Sequence, residues 1–291
     1  MVRPVPHVLV AVMAVLTTLV VSSVVSAPVA GAQSPAGASA DGARTHVPEF
    51  ILTPWVPGPS GTTVATPAAP FPTRAAAQAG TGELRATYSA QVPEAAKPAI
   101  QSALDRWAAA LRITVPVEVA IEWQALGDGS LVGAARPTLG LADFAGAPVP
   151  ATFYPIALAN QIIGFDRAPA VSDIEIVLSD RSDWDYAVAG PVSPDRTSLT
   201  SVVLHEVLHG LGFSALFDVD AAGVGRRTGS MALPSIFETL VVDRTGAPVT
   251  GLPDNSVTLG RALTQGLFWR GGQGTAANGG AQPVLFSPSP F

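Results

Sequence analysis

The stretch that decides the fold lies at residues 197–213 and reads TSLTSVVLHEVLHGLGF. Apolar residues surround its polar centre on nearly every side, which predicts a buried helix. His205 and His209 are four residues apart, so on a helix they lie about 40° from each other and both rings can reach one point. Glu206 stands between them.

Both ends of this helix carry recognisable signals. Asp195, Thr197 or Ser198 can cap the start, because each offers a side-chain oxygen to a free backbone amide. Gly210 and Gly212 can end the helix, since glycine accepts the left-handed backbone found just past many helix ends. The helix is therefore expected to stop soon after its second histidine.

The polar centre of the helix predicts a metal site. A buried helix that carries His205, Glu206 and His209 without partners would be costly, because unsatisfied buried polar groups are strongly unfavourable. A metal ion and its water would satisfy all three. We therefore predict Zn²⁺ as the cofactor, with His205 and His209 as ligands and Glu206 as the catalytic base that takes a proton from the water.

Composition excludes several classes of protein. The chain has 291 residues, 48% of them hydrophobic and 13% charged, with 28 glycines and 27 prolines, which is too apolar for a disordered protein and too interrupted for a helical bundle. The formal charge is −6 and no Lys/Arg cluster occurs, so no nucleic-acid partner is expected. The absence of cysteine excludes disulfides, cysteine zinc ligands and a thiol nucleophile.

The first 32 residues are predicted to be a signal peptide. Arg3 and His7 precede an apolar run at 8–25, and the Ala-Gly-Ala sequence at 30–32 offers a cleavage site before Gln33. An 18-residue apolar run could instead anchor the chain in a membrane. Thr and Ser inside the run, the cleavage site and the lack of a positive stop favour cleavage. The expected location is secreted and extracellular, with cell-wall association as an option and no stable membrane span after cleavage.

Residues 33–82 are rich in Ala, Pro, Gly, Ser and Thr. A disordered linker, a pro-segment and a wall-spanning stalk all have this composition. An apolar island at 50–55 suggests that part of the segment docks on the domain that follows. His46 is expected to be a solvated residue rather than a ligand.

Residues 83–291 are predicted to form one α+β domain. Alternating apolar residues predict strands at 84–90, 116–123 and 173–179, and apolar faces predict helices at 94–111 and 154–163. Glycines at 127, 129 and 133 are expected to break the intervening chain into turns. The glycine-rich final 40 residues show no clear closing element. The acidic residues at 180–185 could hold calcium, but a solvated loop is the preferred interpretation.

The motif at 205–213, HEVLHGLGF, resembles the active-site helix of zincin metallopeptidases and is similar to the metzincin pattern H-E-x-x-H-x-x-G-x-x-H. It resembles more closely a group of secreted bacterial proteins whose helix reads H-E-[LI]-G-H-G-L-G-F. Five further stretches are similar to that group: ALDRW at 103–107, VPV at 115–117, YPIALAN at 154–160, PSIF at 234–237 and ANGG at 277–280. The likeness runs from about residue 84 to the end.

This resemblance implies a zincin-like fold, in which a mixed sheet packs on the active-site helix and the C-terminal part is irregular. It implies a zinc metalloendopeptidase that hydrolyses peptide bonds in a protein or peptide substrate. The chain is expected to act as a monomer. The alternative is a catalytically inactive zincin-like protein that serves as an extracellular binding or surface module.

The third metal ligand is missing from its family position. In the metzincin pattern it would fall at 215, where this chain has Ala215, and no histidine follows His209. Asp218, Asp220 and Glu238 remain as candidates, and Glu238 would resemble the distant glutamate of thermolysin-like zincins.

A second departure concerns the end of the chain. Relatives continue with a Ser-His-Leu-Asp stretch and a methionine-containing turn, whereas this sequence stops at Phe291. Met231 is the alternative candidate for that turn. The hypothesis is that the chain is C-terminally truncated relative to the family or has lost its third ligand.

Overall fold

The computed structural model describes residues 43–46, 51–54, 65–66, 82–127, 131–193, 195–228 and 233–287. The predicted signal peptide at 1–32 and Met231 lie outside the described residues, as does most of the segment 33–82. These predictions, and the division of the chain into segments, therefore remain predictions.

Helices in the described residues are few and short. They are α1 (Lys97–Ala110), α2 (Ile156–Ile163), α3 (Leu199–Gly210), α4 (Val257–Thr264) and α5 (Gly272–Ala277).

Strands outnumber the helices, and most are short. They are β1 (Arg44–His46), β2 (Ile51–Pro54), β3 (Ala65–Thr66), β4 (Leu84–Tyr88), β5 (Val117–Gln124), β6 (Leu131–Pro137), β7 (Gly140–Ala142), β8 (Tyr154–Pro155), β9 (Ile174–Ser179), β10 (Trp184–Asp185), β11 (Gly190–Pro191), β12 (Thr197–Ser198), β13 (Phe217–Val219), β14 (Gly225–Arg227), β15 (Val241–Asp243), β16 (Leu267–Trp269) and β17 (Val284–Leu285).

The main sheet has five strands in the order β2-β6-β9-β5-β4. Strands β4, β5 and β9 run parallel, whereas β6 is antiparallel to β9 and β2 is antiparallel to β6. Alternate residues of β5 are buried, because this strand presents one face to the core. Helix α3 packs against β6 and β9, and α1 packs against α3 and β4. The sheet thus supports the helix that carries both histidines.

One large hydrophobic cluster joins the helices to the sheet. Leu104 and Trp107 of α1 meet Leu199, Val203 and Val207 of α3 in this cluster. The indole N–H of Trp107 donates to the backbone carbonyl of Leu204 across 3.1 Å, so the two helices are also connected by a polar contact. Burial of this apolar surface is the main force that holds α3 in place.

Smaller sheets complete the fold. β1-β7-β8 and β15-β16-β17 have three strands each, and β10-β12, β3-β11 and β13-β14 have two. Three short strands from the segment 33–82 pair with later strands, since β1 pairs with β7, β2 with β6 and β3 with β11. Docking of the apolar island onto the following domain, which the sequence suggested, is seen at Ile51–Pro54.

The α+β class is confirmed, with mixed and antiparallel sheets beside five described helices. The structure has β4, β5 and β9 where strands were predicted, and α1 and α2 where helices were predicted, with end positions that differ by a few residues. Local periodicity was sufficient here because each element buries one regular face.

Two predictions were wrong. Gly133 does not lie in a turn but in the middle of β6, between two hydrogen-bonded strands. The final 40 residues contain α4, β16, α5 and β17, so they do hold regular structure. Leu259 and Leu263 of α4 pack on Val219, a contact between distant segments that no local pattern reveals.

None of the helices in the described ranges is long and apolar enough to cross a membrane.

Candidate functional site

Helix α3 starts at a side-chain cap. Ser198 Oγ accepts a hydrogen bond from the backbone N–H of Ser201 across 3.2 Å, so Ser198, of the three candidate residues, caps the helix. Leu199 and Thr200 follow at once and are buried. The start of α3 is therefore anchored in the core, and this fixes the position of the helix that carries the histidines two turns later.

The end of α3 depends on two glycines. A Cβ atom at Gly210 would come within 2.2 Å of Ile174 Cγ2 in the sheet, so only glycine allows the helix to approach β9 this closely. Gly212 has φ of +95° and faces Pro155, whose Cγ would lie 2.6 Å from an added Cβ. The N–H of Phe213 then donates to the carbonyl of Leu208 across 3.0 Å, which closes the helix end.

The two histidine rings converge. The Nε2 atoms of His205 and His209 are 2.9 Å apart, and the ring planes meet at 82° with their centroids separated by 4.5 Å. At this distance the two nitrogens share a hydrogen bond, and a contact between the rings is what the i, i+4 spacing in the sequence predicts for this helix. The pair is the centre of the candidate site.

The tautomer of His209 follows from its second nitrogen. Nδ1 lies 2.9 Å from the backbone carbonyl oxygen of Phe213. A carbonyl oxygen can only accept, so Nδ1 carries the proton and donates it. In neutral His209 the lone pair is then on Nε2, which faces His205. A metal-binding histidine is commonly oriented in this way by a partner behind the ring.

Burial also keeps both rings neutral. It lowers the pKa of His205, and burial together with the neighbouring His205 ring lowers the pKa of His209 to about 3. Both imidazoles are consequently uncharged near pH 7. Neutral imidazole is the form that donates a lone pair to a metal.

Glu206 is completely buried and lies against strand β6. A Cβ atom at Gly133 would come within 2.4 Å of Glu206 Oε1 and within 3.1 Å of Val202 Cγ1. The absence of a side chain at Gly133 therefore creates the space that the carboxylate occupies.

The outer edge of β6 is covered by the N-terminal segment. Strand β2 pairs antiparallel with β6, and Thr53 is the partner of Gly133. On its other side Gly133 pairs with Leu178 of β9. The backbone next to Glu206 is thus held in the middle of the sheet by strands from both directions.

All three candidate third ligands make other interactions. Asp220 accepts hydrogen bonds from the amides of Ala222 and Val224 at 3.0 and 2.9 Å and pairs with Arg226. These contacts lower the pKa of Asp220, the Val224 amide being the main cause. Asp218 is half-exposed in β13, with its carboxylate 4.0 Å from Arg226.

Glu238 is buried, and its carboxylate accepts the amides of Leu216 and Ser235. Burial raises its pKa to about 7. Oε1 binds the loop that follows α3 at Leu216, and Oε2 binds the chain at Ser235, so the carboxylate joins these two segments.

The structure brings two of the predicted metal ligands together. In the ranges that the structure describes, no group of three or more His, Cys, Asp or Glu side chains is arranged to hold a metal ion. Within those ranges, neither the histidine pair nor the acidic loop at 180–185 has such a group around it. In the loop, Asp185 accepts the amide of Ala187 across 2.8 Å.

Sequence reasoning missed three parts of the site. They are Gly133 behind Glu206, the carbonyl of Phe213 behind His209, and the aromatic rings that surround Phe213. Gly133 had a usable signal, because a glycine between small and apolar residues is typical of close backbone approach in a strand. The other two depend on contacts that only the folded chain provides.

Comparison with known proteins adds one match. A family model described as SPBPB7E8-like matches residues 83–222. The match begins just before β4 and includes the whole of α3, so it covers both histidines and Glu206. No curated protein and no solved structure matches the chain.

Proposed function

We propose that the chain is a secreted zinc-dependent metallopeptidase with a zincin-like fold, in which His205 and His209 bind the metal and Glu206 is the base. The observation that carries this proposal is the approach of the two Nε2 atoms to 2.9 Å, with His209 held in the tautomer whose Nε2 lone pair faces His205 and accepts a hydrogen bond from it. The helix also packs on a mixed sheet, as the zincin resemblance implies.

The donor atoms fit zinc. Two neutral imidazoles on one helix are typical ligands of Zn²⁺, and catalytic zinc sites use three protein ligands and keep one position for water. The chain supplies two of the three from α3. Asp220 and Glu238 already accept two backbone amides each, so neither is the preferred third donor.

When bound, zinc would supply Lewis acidity to water and to a substrate carbonyl. The protein's own contribution is the placement of groups. His205 and His209 donate from a rigid helix whose two ends are anchored, and Glu206 holds its carboxylate against β6 one residue from the first ligand. In the proposed reaction Glu206 accepts a proton from the attacking water and passes it to the leaving amine.

The hydrogen bonds that Asp220 and Glu238 already make favour one alternative function, an inactive relative of the peptidases. Without a third donor the metal would be held weakly, and the chain would then act as a catalytically inactive extracellular binding or surface protein. Export by the predicted signal peptide at 1–32 belongs to both proposals. They differ only in whether peptide bonds are broken.

One experiment separates them. Zinc content and cleavage of casein and of a mixed peptide library are measured for the exported protein and for Glu206→Gln, a neutral side chain of nearly the same shape. Glu122→Gln, on β5 of the same sheet, is the matched control. Cleavage by the wild type and the control that disappears in Glu206→Gln while zinc is retained supports the peptidase. Zinc binding without cleavage of either substrate supports the inactive protein. Absence of zinc binding contradicts the assignment of His205 and His209 as metal ligands.

A further inference from the structure

The ring of Phe213 lies among aromatic residues from the C-terminal part of the chain. Its centroid is 4.6 Å from that of Phe237 and 6.1 Å from that of Trp269. Phe237 and Trp269 stack on each other at 5.2 Å with an interplanar angle of 27°. We call Phe213, Phe237 and Trp269 the aromatic trio. Trp269 is fully buried, Phe237 nearly so, and Phe213 is partly buried where it packs against them in one hydrophobic cluster.

The trio reaches the candidate site through one backbone atom. The carbonyl of Phe213 accepts the Nδ1 proton of His209. The amide of Phe213 is anchored to Leu208, so the direction of its carbonyl depends on what holds the rest of the residue. The ring packed against Phe237 and Trp269 supplies that restraint, because a packed aromatic side chain cannot rotate without displacing its neighbours.

We propose that Phe237 and Trp269 are positioning residues for His209: they hold Phe213 so that its carbonyl fixes the Nδ1–H tautomer and directs Nε2 toward His205. Neither residue contacts the reacting atoms. Both come from the chain beyond residue 222, and Trp269 from strand β16, sixty residues after the ligand it controls. The C-terminal sheet β15-β16-β17 is thereby a functional part of the site.

This inference rests on the proposed metal site, but its first readout does not need metal. Loosening the trio frees the Phe213 carbonyl, and His209 can then adopt the other tautomer. Weakening the partner behind a metal-binding histidine reduces metal affinity by roughly ten-fold to a hundred-fold. The expected changes are a mixed His209 tautomer in the metal-free protein and a zinc dissociation constant raised roughly ten-fold.

The test uses Phe237→Leu and Trp269→Phe in the full chain, with Phe144→Leu as the matched control. Phe144 is also a buried phenylalanine packed edge-on against an aromatic ring, that of Tyr154, but it belongs to a separate cluster. ¹⁵N NMR at neutral pH reports the tautomer of His209 without metal. Competition with a chelator reports zinc affinity.

The proposal expects a single Nδ1–H tautomer in the wild type and in Phe144→Leu, and a mixture in Phe237→Leu or Trp269→Phe. A wild-type tautomer in the folded trio variants would overturn it. If Phe237→Leu does not fold, the more conservative Trp269→Phe decides the question. A wild type that binds no zinc would refute the metal site, while the tautomer measurement would still decide the positioning role.

Discussion

Glu206 Oε1 and Gly133 approach so closely that a methyl group on Gly133 would lie 2.4 Å from the carboxylate oxygen. The glycine stands at the middle of β6, and the glutamate is buried on α3. Close packing between β6 and α3 therefore requires glycine at position 133, and it places the ionisable side chain of Glu206 directly opposite.

Gly133→Ala should displace the Glu206 carboxylate. Peptidase activity, where present, should therefore fall by a larger factor than the fraction of unfolded variant accounts for. Overpacking a core by one methyl group costs about 1–3 kcal/mol, which urea unfolding would measure. Gly251→Ala is the control, because a Cβ there meets nothing within 4 Å. Equal behaviour of the two variants in both assays would contradict the assigned contact.

Gly212→Ala should destabilise the protein by roughly 1–3 kcal/mol more than Gly164→Ala. Both glycines follow a helix, at φ of +95° and +91°, so the backbone strain introduced by alanine is similar. Only Gly212 has a neighbour, Pro155, within 2.6 Å of the added methyl group. The difference between the two unfolding free energies isolates this steric contact, and a difference near zero would show that Pro155 can move aside.

Glu238 should make stability depend on pH. Its pKa is raised from 4.5 to about 7 by burial, so the folded state binds a proton more tightly than the unfolded chain. Stability from this group is fully present below about pH 4.5 and is lost as pH rises to about 7, by about 3 kcal/mol in total. Glu238→Gln removes this contribution, so the difference in stability between wild type and variant should fall by about 3 kcal/mol from pH 4.5 to 7, while Asp173 and His209 contribute equally to both proteins. The variant is less stable overall because its side-chain NH₂ faces the N–H of Ser235 or Leu216. Urea unfolding between pH 4 and 8 measures both effects, and an unchanged slope would contradict the assignment.

Strand β2 should protect the edge of β6 from solvent. Replacing residues 51–54 by Gly-Ser-Gly-Ser weakens this pairing, so β6 amides that face β2 should exchange roughly ten-fold faster or more, which corresponds to about 1.4 kcal/mol of opening free energy. Strand β4, at the opposite edge of the sheet, provides an internal control within the same sample. Unchanged exchange in β6, or equal acceleration in β4, would be inconsistent with docking at this edge.

Much of the fold could be predicted from local patterns. The alternation in β5 and the apolar face of α1 each describe an element with one buried side, and periodicity detects that directly. Strand β6 was not predicted, because Gly133, Ala134 and Ala135 have small side chains that contribute little to a hydrophobic pattern. Its burial comes from helix and strand neighbours rather than from its own residues.

In the candidate site, too, some features could be predicted from the sequence and others could not. His205 and His209 converge because their separation of four residues places them on one side of any helix, and this was evident from the sequence. The three carboxylates offered as third ligands could not be ranked without the fold, since the amides that Asp220 and Glu238 accept and the arginine beside Asp218 are brought to them by loop geometry. The structure showed that Glu238 serves the loop after α3.

The sequence by itself determined the α+β class, a helix within residues 197–213 and its glycine-rich end, because each depends on residues within a few positions of one another. The structure chose Ser198 from the three cap candidates. Only the tertiary structure decided which residues surround the histidines and Glu206. Gly133 meets Glu206 and Trp269 meets Phe213 across more than fifty residues of chain, and Phe237 meets Phe213 across 24. Such contacts result from the packing of sheet, helix and C-terminal strands together, and packing is a property of the whole chain.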